Sequence, residues 1–188
     1  HDVYNQVIVN NPTRNELVCS IAQVFKHEGK PTITVVKRVG HSEQLADMLC
    51  QRNIRTDVIR GAVKQDARDK IMERLKSGEL HHVVAVLETI GEGADYPFVR
   101  ALINATGARG GGSKLEDEEA GLQLVQVLCR FIRVYPGILF ADYVDFSDKT
   151  HKMLAQASLD RVSTLEALGL TPFIKDWANY TMDSELIL

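Results

Sequence analysis

The sequence predicts an α/β domain, in which a parallel sheet of about six strands carries helices on both faces and a helical extension follows at the C-terminus. Short apolar runs alternate with helical patterns of roughly 12 residues, a spacing typical of crossover connections between parallel strands. The runs are rich in β-branched residues, as strands buried on both faces are. Strands are predicted over residues 6–9, 32–36, 57–59, 83–87, 101–105 and 138–144.

Helices are predicted between these runs, where apolar residues recur every three or four positions. The first begins at Pro12, with Thr13 and Glu16 spaced as a capping box, and ends at Gly29. Further helices are expected over residues 42–52, 65–76 and 148–168.

Two segments interrupt the alternation of strands and helices. Residues 107–119 are rich in glycine and acidic side chains without an apolar period, which predicts a surface loop. We expect an α/β domain over residues 1–148 and a helical extension over 149–188. The apolar residues of the extension could pack on the sheet or meet a partner. Packing on the sheet is favoured, with Trp177 and Tyr180 as anchors.

Composition argues against several classes of protein. With 188 residues, 45% of them hydrophobic, the chain can bury a full core and needs neither disulfides nor a metal to fold. Cys19, Cys50 and Cys129 are far apart and form no CxxC pair, so we expect reduced thiols and no structural zinc. His81 and His82 adjoin a predicted strand and point to opposite faces, so both are expected at a solvated edge rather than in a metal site.

The charge of the chain is unevenly distributed around a net value of −3. Residues 26–76 contain 12 basic and 7 acidic side chains, whereas residues 115–188 contain 6 basic and 12 acidic ones. This asymmetry permits a basic strip on an acidic body, although a solvated face would give the same pattern. No apolar run of about 18 residues and no signal-peptide pattern occurs, so no membrane partner is predicted. Because the chain opens with His1 rather than Met, we expect it to be part of a longer protein.

A first candidate site follows the predicted strand 83–87. Open parallel sheets bind ligands beyond the carboxyl ends of their strands. There the sequence places Thr89, Gly91, Gly93 and Asp95. The glycines allow backbone amides to approach a ligand, Thr89 offers a hydroxyl, and Asp95 can accept from a ribose hydroxyl. An ordinary glycine turn would have the same sequence.

A second candidate site lies on the helix predicted before the last strand. Arg130 and Arg133 are three residues apart and share a helix face, with Gln126 one turn earlier. Two guanidinium groups on one face suit a polyphosphate, because each pairs with phosphate oxygens as a planar fork. Surface salt bridges are the alternative interpretation.

Together and in this order, the two segments resemble the C-terminal motor lobe of superfamily 2 helicases and translocases, a RecA-like domain. Residues 88–97 are similar to motif V, and residues 126–133 to motif VI, usually Q-x-x-G-R-x-x-R. Residues 35–38 with His41 and Leu45 resemble motif IV, and Gly61 with Arg68 resembles the segment that follows it. The resemblance spans residues 4–148. Residues 10–15 and 145–148 are similar to phage-type and DNA-repair-type branches.

The resemblance implies roles for the residues of both segments. Arg130 and Arg133 would be arginine fingers that reach a γ-phosphate held by a partner lobe, and Gln126 would position that phosphate or its attacking water. Gly93 and Asp95 would border the nucleotide, with Asp95 toward the ribose. Cys129 stands where the family usually has glycine, which puts the finger geometry in doubt.

The resemblance also implies a path for nucleic acid. Thr89 would hydrogen-bond a strand phosphate, and Lys37, Arg38 and His41 would lie along the same strand. The expected partners are an N-terminal RecA-like lobe of the same polypeptide and a nucleic acid, with DNA favoured over RNA. The expected location is cytoplasmic, or the nucleoid or host cytoplasm if the protein is phage-encoded.

The sequence lacks the parts that would make this lobe an ATPase by itself. No GxxxxGK[ST] loop and no DExD/H motif occurs, so ATP with Mg²⁺ would be held mainly by the partner lobe. Residues 107–114 hold serine and lysine in inverted order and are interpreted as a loop. The alternative function is a docking module for nucleic acid or protein without ATPase activity. An unrelated doubly wound nucleotide-binding enzyme is disfavoured, because no glycine-rich loop follows the first predicted strand.

Overall fold

The computed structural model describes residues 2–90, 96–107 and 141–171. Within these ranges five strands form one parallel sheet in the order β2-β3-β1-β4-β5. The parallel α/β architecture predicted from the sequence is therefore confirmed. The strands are β1 (Thr32–Val36), β2 (Thr56–Ile59), β3 (His82–Val86), β4 (Ala101–Asn104) and β5 (Asp142–Asp145).

The described helices connect these strands or flank the sheet. They are α1 (Asp2–Tyr4), α2 (Pro12–His27), α3 (Val39–Gln51), α4 (Gln65–Lys76), α5 (Leu87–Ile90) and α6 (Lys152–Ala167). None of them combines the length and apolar character needed to cross a bilayer.

The first predicted strand is wrong. Residues Asn5–Val9 form a π-helical turn that continues α1, and the amide of Asn10 closes it on the carbonyl of Asn5 at 2.7 Å. Ile8 is buried, and Asn15 donates to the carbonyl of Val9 at 2.8 Å, so the segment is held against the start of α2. A four-residue apolar run cannot distinguish a short helix from a strand by its period.

The start of α2 also differs from the prediction. Asn11, not Thr13, is the N-cap, and its side-chain oxygen accepts from the amide of Arg14 at 3.1 Å. Pro12 occupies the first helical position, where a missing amide proton has no consequence. Glu16 pairs with Arg52 on α3 instead of completing a capping box.

Two apolar layers enclose the sheet. One face packs on α2 and α3, and the other packs on α4 and receives Leu165 of α6. Successive residues of β1 alternate between these layers, with Ile33 and Val35 on the α4 side and Val36 on the α2 side. Every residue of β1 and β3 is buried, which explains why their sequences are continuously apolar.

The helix α6 packs on the sheet, as favoured from the sequence. Leu154 and Leu165 are buried, whereas Leu159 and Leu168 are exposed. The remaining buried contacts of α6 are polar and include Arg161, which is only 2% exposed. Trp177 and Tyr180, the proposed anchors, lie outside the described residues.

The histidine pair occupies two different environments. His81 is half-buried at the edge where β3 begins, but His82 is completely buried and its Nε2 lies 2.8 Å from the hydroxyl of Thr34. The expectation of a solvated edge is therefore wrong for His82. Burial lowers the pKa of His82 to about 3, so this ring is neutral at physiological pH.

Candidate functional site

The parallel order of the strands brings all their carboxyl ends to one edge of the sheet, which we call the carboxyl edge. The last strand residues there are Val36, Ile59, Val86, Asn104 and Asp145. The segments that follow them hold the residues to which the sequence analysis assigned strand contacts. An open sheet binds its ligands at this edge.

Lys37 and Arg38 lie directly after β1, and both side chains are exposed. The guanidinium of Arg38 stands 5.9 Å from the ring centre of Tyr4, whose hydroxyl donates to the carbonyl of Thr106 at 2.6 Å. Burial raises the pKa of Tyr4 to about 12, although Arg14 and Arg38 oppose the shift. The two cations are thus available to an anion at the carboxyl edge.

His41 is not available in this way. Its side chain is completely buried, and Nε2 lies 2.9 Å from Oδ1 of Asn15. Because the amide nitrogen of Asn15 donates to Val9, Oδ1 must accept, so Nε2 of His41 carries the ring proton. Burial and then the charge of Arg14 lower the pKa of His41 to about 4. This burial contradicts the expected contact between His41 and nucleic acid; the residue fastens α3 to α2 instead.

Thr89 lies on the one-turn helix α5, directly after β3, and is half-buried. Its hydroxyl donates to the carbonyl of Val86 at 2.6 Å. A phosphate oxygen would need that proton, so contact with a phosphate requires the hydroxyl to rotate away from Val86. Arg68 of α4 supports this turn, because it donates to the carbonyls of Val63 at 2.9 Å and Thr89 at 3.3 Å.

A buried polar network joins the ends of β4 and β5. Asn104 donates to the hydroxyl of Tyr143 and to Oδ2 of Asp145, each at 3.1 Å, and its oxygen accepts from the hydroxyl of Thr106 at 2.7 Å. Arg161 of α6 reaches Asp145 at 2.8 Å. Burial and the neighbouring charge of Asp145 raise the pKa of Tyr143 well above its usual value, so its hydroxyl stays a donor. The network fixes the carboxyl edge beside β5.

Arg14 forms a second buried anchor at this edge. It binds Asp148 with Nε to Oδ1 at 2.9 Å and Nη2 to Oδ2 at 3.3 Å. It also donates to the carbonyl of Ala105 at 3.0 Å and covers the ring of Phe146 at 4.6 Å. Sequence reasoning missed both Arg14 and Arg161, since a charged residue inside a helical pattern is usually solvated. The only sequence signal was the pair of acids after β5, Asp145 and Asp148.

The residues assigned to the nucleotide lie outside the described part of the chain. They are Gly93, Asp95, Gln126, Arg130 and Arg133, and with them Cys129. Their roles remain predictions from the sequence. Within the described ranges no group of three or more His, Cys, Asp or Glu side chains is arranged to hold a metal ion. The described residues alone therefore do not fit a magnesium–triphosphate cradle.

A family model and solved structures match this chain. The model described as helicase conserved C-terminal domain matches residues 13–135. No curated protein sequence matches the chain. The fold is similar to phage T4 UvsW, with 15% identity and a TM-score of 0.64 over 89% of this chain and 35% of UvsW. The chain thus spans about a third of that protein.

Two further solved structures are similar at comparable levels. The RNA helicase Prp28 from Chaetomium thermophilum, bound to ADP, has 17% identity and a TM-score of 0.63, covering 90% of this chain and 37% of that one. S. cerevisiae Dbp5, bound to RNA and ADP BeF3, has 14% identity and a TM-score of 0.62, covering 88% and 39%. With the family match, these comparisons confirm the resemblance to C-terminal lobes of superfamily 2 helicases.

Proposed function

The chain belongs to the helicase conserved C-terminal domain family, and from this premise we propose that it is the C-terminal motor lobe of an ATP-dependent nucleic-acid helicase or translocase. The observation that carries the proposal is the extent of the family match. It covers residues 13–135 and so includes both candidate segments, 88–97 and 126–133, in the order typical of a motor lobe. By itself the lobe would not turn over ATP.

Arg130 and Arg133 are the proposed arginine fingers, with Gln126 positioning the γ-phosphate or its attacking water. Their spacing on one helix face supports the assignment, because a planar guanidinium can pair with two phosphate oxygens. Arginine fingers stabilise the charge that develops as the phosphoryl group is transferred. The lobe would supply this charge across a cleft shared with an N-terminal lobe.

The nucleotide would be ATP with Mg²⁺, held mainly by that N-terminal lobe, and its hydrolysis would supply the free energy for opening and closing the cleft. On this chain Gly93 would approach the nucleotide with its backbone, and Asp95 would accept from a ribose hydroxyl. The sequence supports this division of labour, since it contains no phosphate-cradling loop.

The nucleic-acid strand would cross the carboxyl edge beside Lys37, Arg38 and Thr89. The exposure of both cations at the end of β1 supports this path. Contacts to phosphates carry no base information, so binding would be insensitive to sequence and would weaken with salt. We propose DNA over RNA because residues 10–15 and 145–148 resemble phage-type and DNA-repair-type branches.

The test is ATPase measurement on the complete gene product, with single-stranded and duplex DNA and RNA as activators. Arg130→Ala or Arg133→Ala should lower kcat by about 10³-fold or more. Arg74→Ala, which removes a half-exposed arginine on α4, is the control and should retain activity. If either finger variant keeps more than roughly a tenth of the wild-type rate, the assignment is wrong. Absence of any ATPase in the complete protein would favour the docking-module alternative.

A further inference from the structure

Three nitrogen-bearing side chains meet at the edge of the sheet opposite the carboxyl edge. Lys26 comes from the end of α2, Arg55 from the residue before β2, and His81 from the residue before β3. Arg55 is exposed and the other two are half-buried. We call these residues the amino-edge cluster.

Backbone carbonyls, not carboxylates, hold the two cations in place. Nζ of Lys26 donates to the carbonyl of Asn53 at 3.0 Å, and Nη2 of Arg55 donates to the carbonyl of Gly78 at 2.8 Å. Neutral acceptors orient both groups without cancelling their charge. The cluster is therefore preorganised and positive.

The carboxylates near the cluster are paired elsewhere. Glu28 binds Lys30 at 2.6 Å, and Asp57 and Glu79 bind Arg74 at 2.5 and 2.6 Å. Among the described residues no carboxylate lies within ion-pair distance of Lys26 or Arg55. The positive charge at this edge is thus left for an external anion.

His81 provides an independent indication of an anion. Its Nδ1 lies 3.1 Å from the backbone amide of Arg55, and its Nε2 lies 3.1 Å from Nη2 of the same residue. Both Arg55 groups are donors, so a neutral ring that accepts at Nδ1 carries its proton on Nε2. That N–H then faces another N–H group. An anionic oxygen beside them could accept from both and remove the conflict.

The electrostatics of His81 agree with this geometry. Partial burial, followed by the positive charges of Arg55 and Lys26, lowers the pKa of the His81 imidazole. A bound phosphate would oppose these two charges and raise that pKa.

We propose that the amino-edge cluster binds a backbone phosphate of nucleic acid, as a second contact separate from the strand path at the carboxyl edge. A guanidinium, an imidazole N–H and an ammonium together match the oxygens of one phosphate group. The choice of nucleic acid as the source of that phosphate rests on the proposed function. The anion site itself rests only on the described contacts.

The surroundings favour a phosphate backbone over a protein partner. Protein interfaces usually bury large apolar side chains at their centre. The described residues expose six of these, and none lies on the connections that carry the cluster: Val3, Val39, Met153, Leu159, Leu168 and Leu170. The two edges are separated by strands of four or five residues, or roughly 15 Å at 3.3 Å per residue. A nucleic acid that spans this distance could contact both.

The test is binding of a fluorescent 25-nucleotide single strand to the 188-residue chain, without ATP, over a range of salt concentrations. The double variant Lys26→Ala/Arg55→Ala should weaken binding about fivefold to tenfold and reduce the salt slope by roughly 1.4, at about 0.7 for each phosphate charge lost. The matched control, Lys70→Ala/Lys152→Ala, removes two exposed cations elsewhere and should change neither by much. Arg55→Lys keeps the charge and should keep most of the salt slope.

The second readout is the titration of the His81 ring by NMR. Added single strand should raise the pKa of His81, and the double variant should abolish this rise. Equal losses in the double variant and its control, or a His81 ring that does not respond to the strand, would overturn the proposal. A response to inorganic phosphate but not to the strand would reject nucleic acid as the ligand. Arg130→Ala should leave both readouts unchanged, so failure of the arginine-finger proposal is distinguishable.

Discussion

The Nε atom of Arg161 on α6 lies 2.8 Å from Oδ2 of Asp145 at the end of β5. The same guanidinium donates to the carbonyl of Phe146 at 2.9 Å. Because Asp145 also accepts from Asn104 and Tyr143, one carboxylate ties two strands to the last described helix. The C-terminal helix is therefore fastened to the sheet by a buried ion pair as well as by apolar packing.

Removal of Arg161 should destabilise the fold strongly. Arg161→Met keeps most of the side-chain volume but leaves Asp145 without its cation, and loss of one member of a buried pair costs about 3 kcal/mol or more. The measurement is urea denaturation followed by circular dichroism. Leu159→Ala on the same helix is the control, because Leu159 is 61% exposed and its loss should change the free energy of unfolding by about 0.5 kcal/mol or less. Similar midpoints for both variants would refute the role of the pair.

Arg14 should not be replaceable by lysine. Lysine cannot reproduce the two parallel bonds to Asp148 together with the bond to the carbonyl of Ala105. We expect Arg14→Lys to lower the free energy of unfolding by about 2 kcal/mol, measured by urea denaturation. Arg38→Lys, at an exposed position, should be nearly neutral. A neutral Arg14→Lys variant would mean that charge alone holds this anchor.

Stability should fall when the pH falls below about 6.5. The pKa of His82 is about 3 in the folded chain, far below its ordinary value of 6.5, so the unfolded chain takes up the proton first. The contribution of the neutral ring is complete above pH 6.5 and is lost as the pH falls toward 3. At pH 5 the loss for His82 is about 2 kcal/mol. His41, with a pKa of about 4, should act in the same direction.

Urea denaturation at pH 7.5 and pH 5 measures this effect. His82→Gln should reduce the difference between the two pH values, whatever its effect on stability at pH 7.5. His27→Gln, at an exposed position, should leave the difference unchanged. An undiminished pH difference in His82→Gln would show that this ring is not the titrating group.

Lys37 and Arg38 should contribute to nucleic-acid affinity, whereas His41 should contribute to stability. Lys37→Ala or Arg38→Ala should weaken single-strand binding regardless of sequence and reduce the salt slope by about 0.7 each. His41→Ala should instead lower the free energy of unfolding, because it breaks the bond to Asn15. Anisotropy titrations at several salt concentrations separate the two effects, with Lys70→Ala as the control. A reduced salt slope in His41→Ala would reinstate it as a strand contact.

The central sheet was predictable because its residues leave no alternative. The run 32–36 is β-branched and buried on both faces, so composition and environment agree. Residues 6–9 are equally apolar, yet they form a helical turn held by Asn15 and by the buried Ile8. That outcome depends on tertiary contacts with α2, which a short local pattern does not contain.

The polar anchors were unpredictable for a different reason. Arg14 and Arg161 each find their carboxylate more than a dozen residues away in sequence, after β5. A sequence pattern identifies the helix that holds an arginine but not the acid opposite it. His41 failed in the same manner, because its position in the motif indicated a strand contact while its partner Asn15 lay one element earlier.

The way the N-terminal segment is attached has a mechanical consequence. The hydroxyl of Tyr4 grips the carbonyl of Thr106, just past β4, and Arg14 grips Asp148, just past β5. The strand β4 is itself flanked by β1 and β5. Tension entering through the first residues would therefore be shared among three adjacent strands instead of peeling one from the side. Tugged from that end, the lobe should move as a stiff lever.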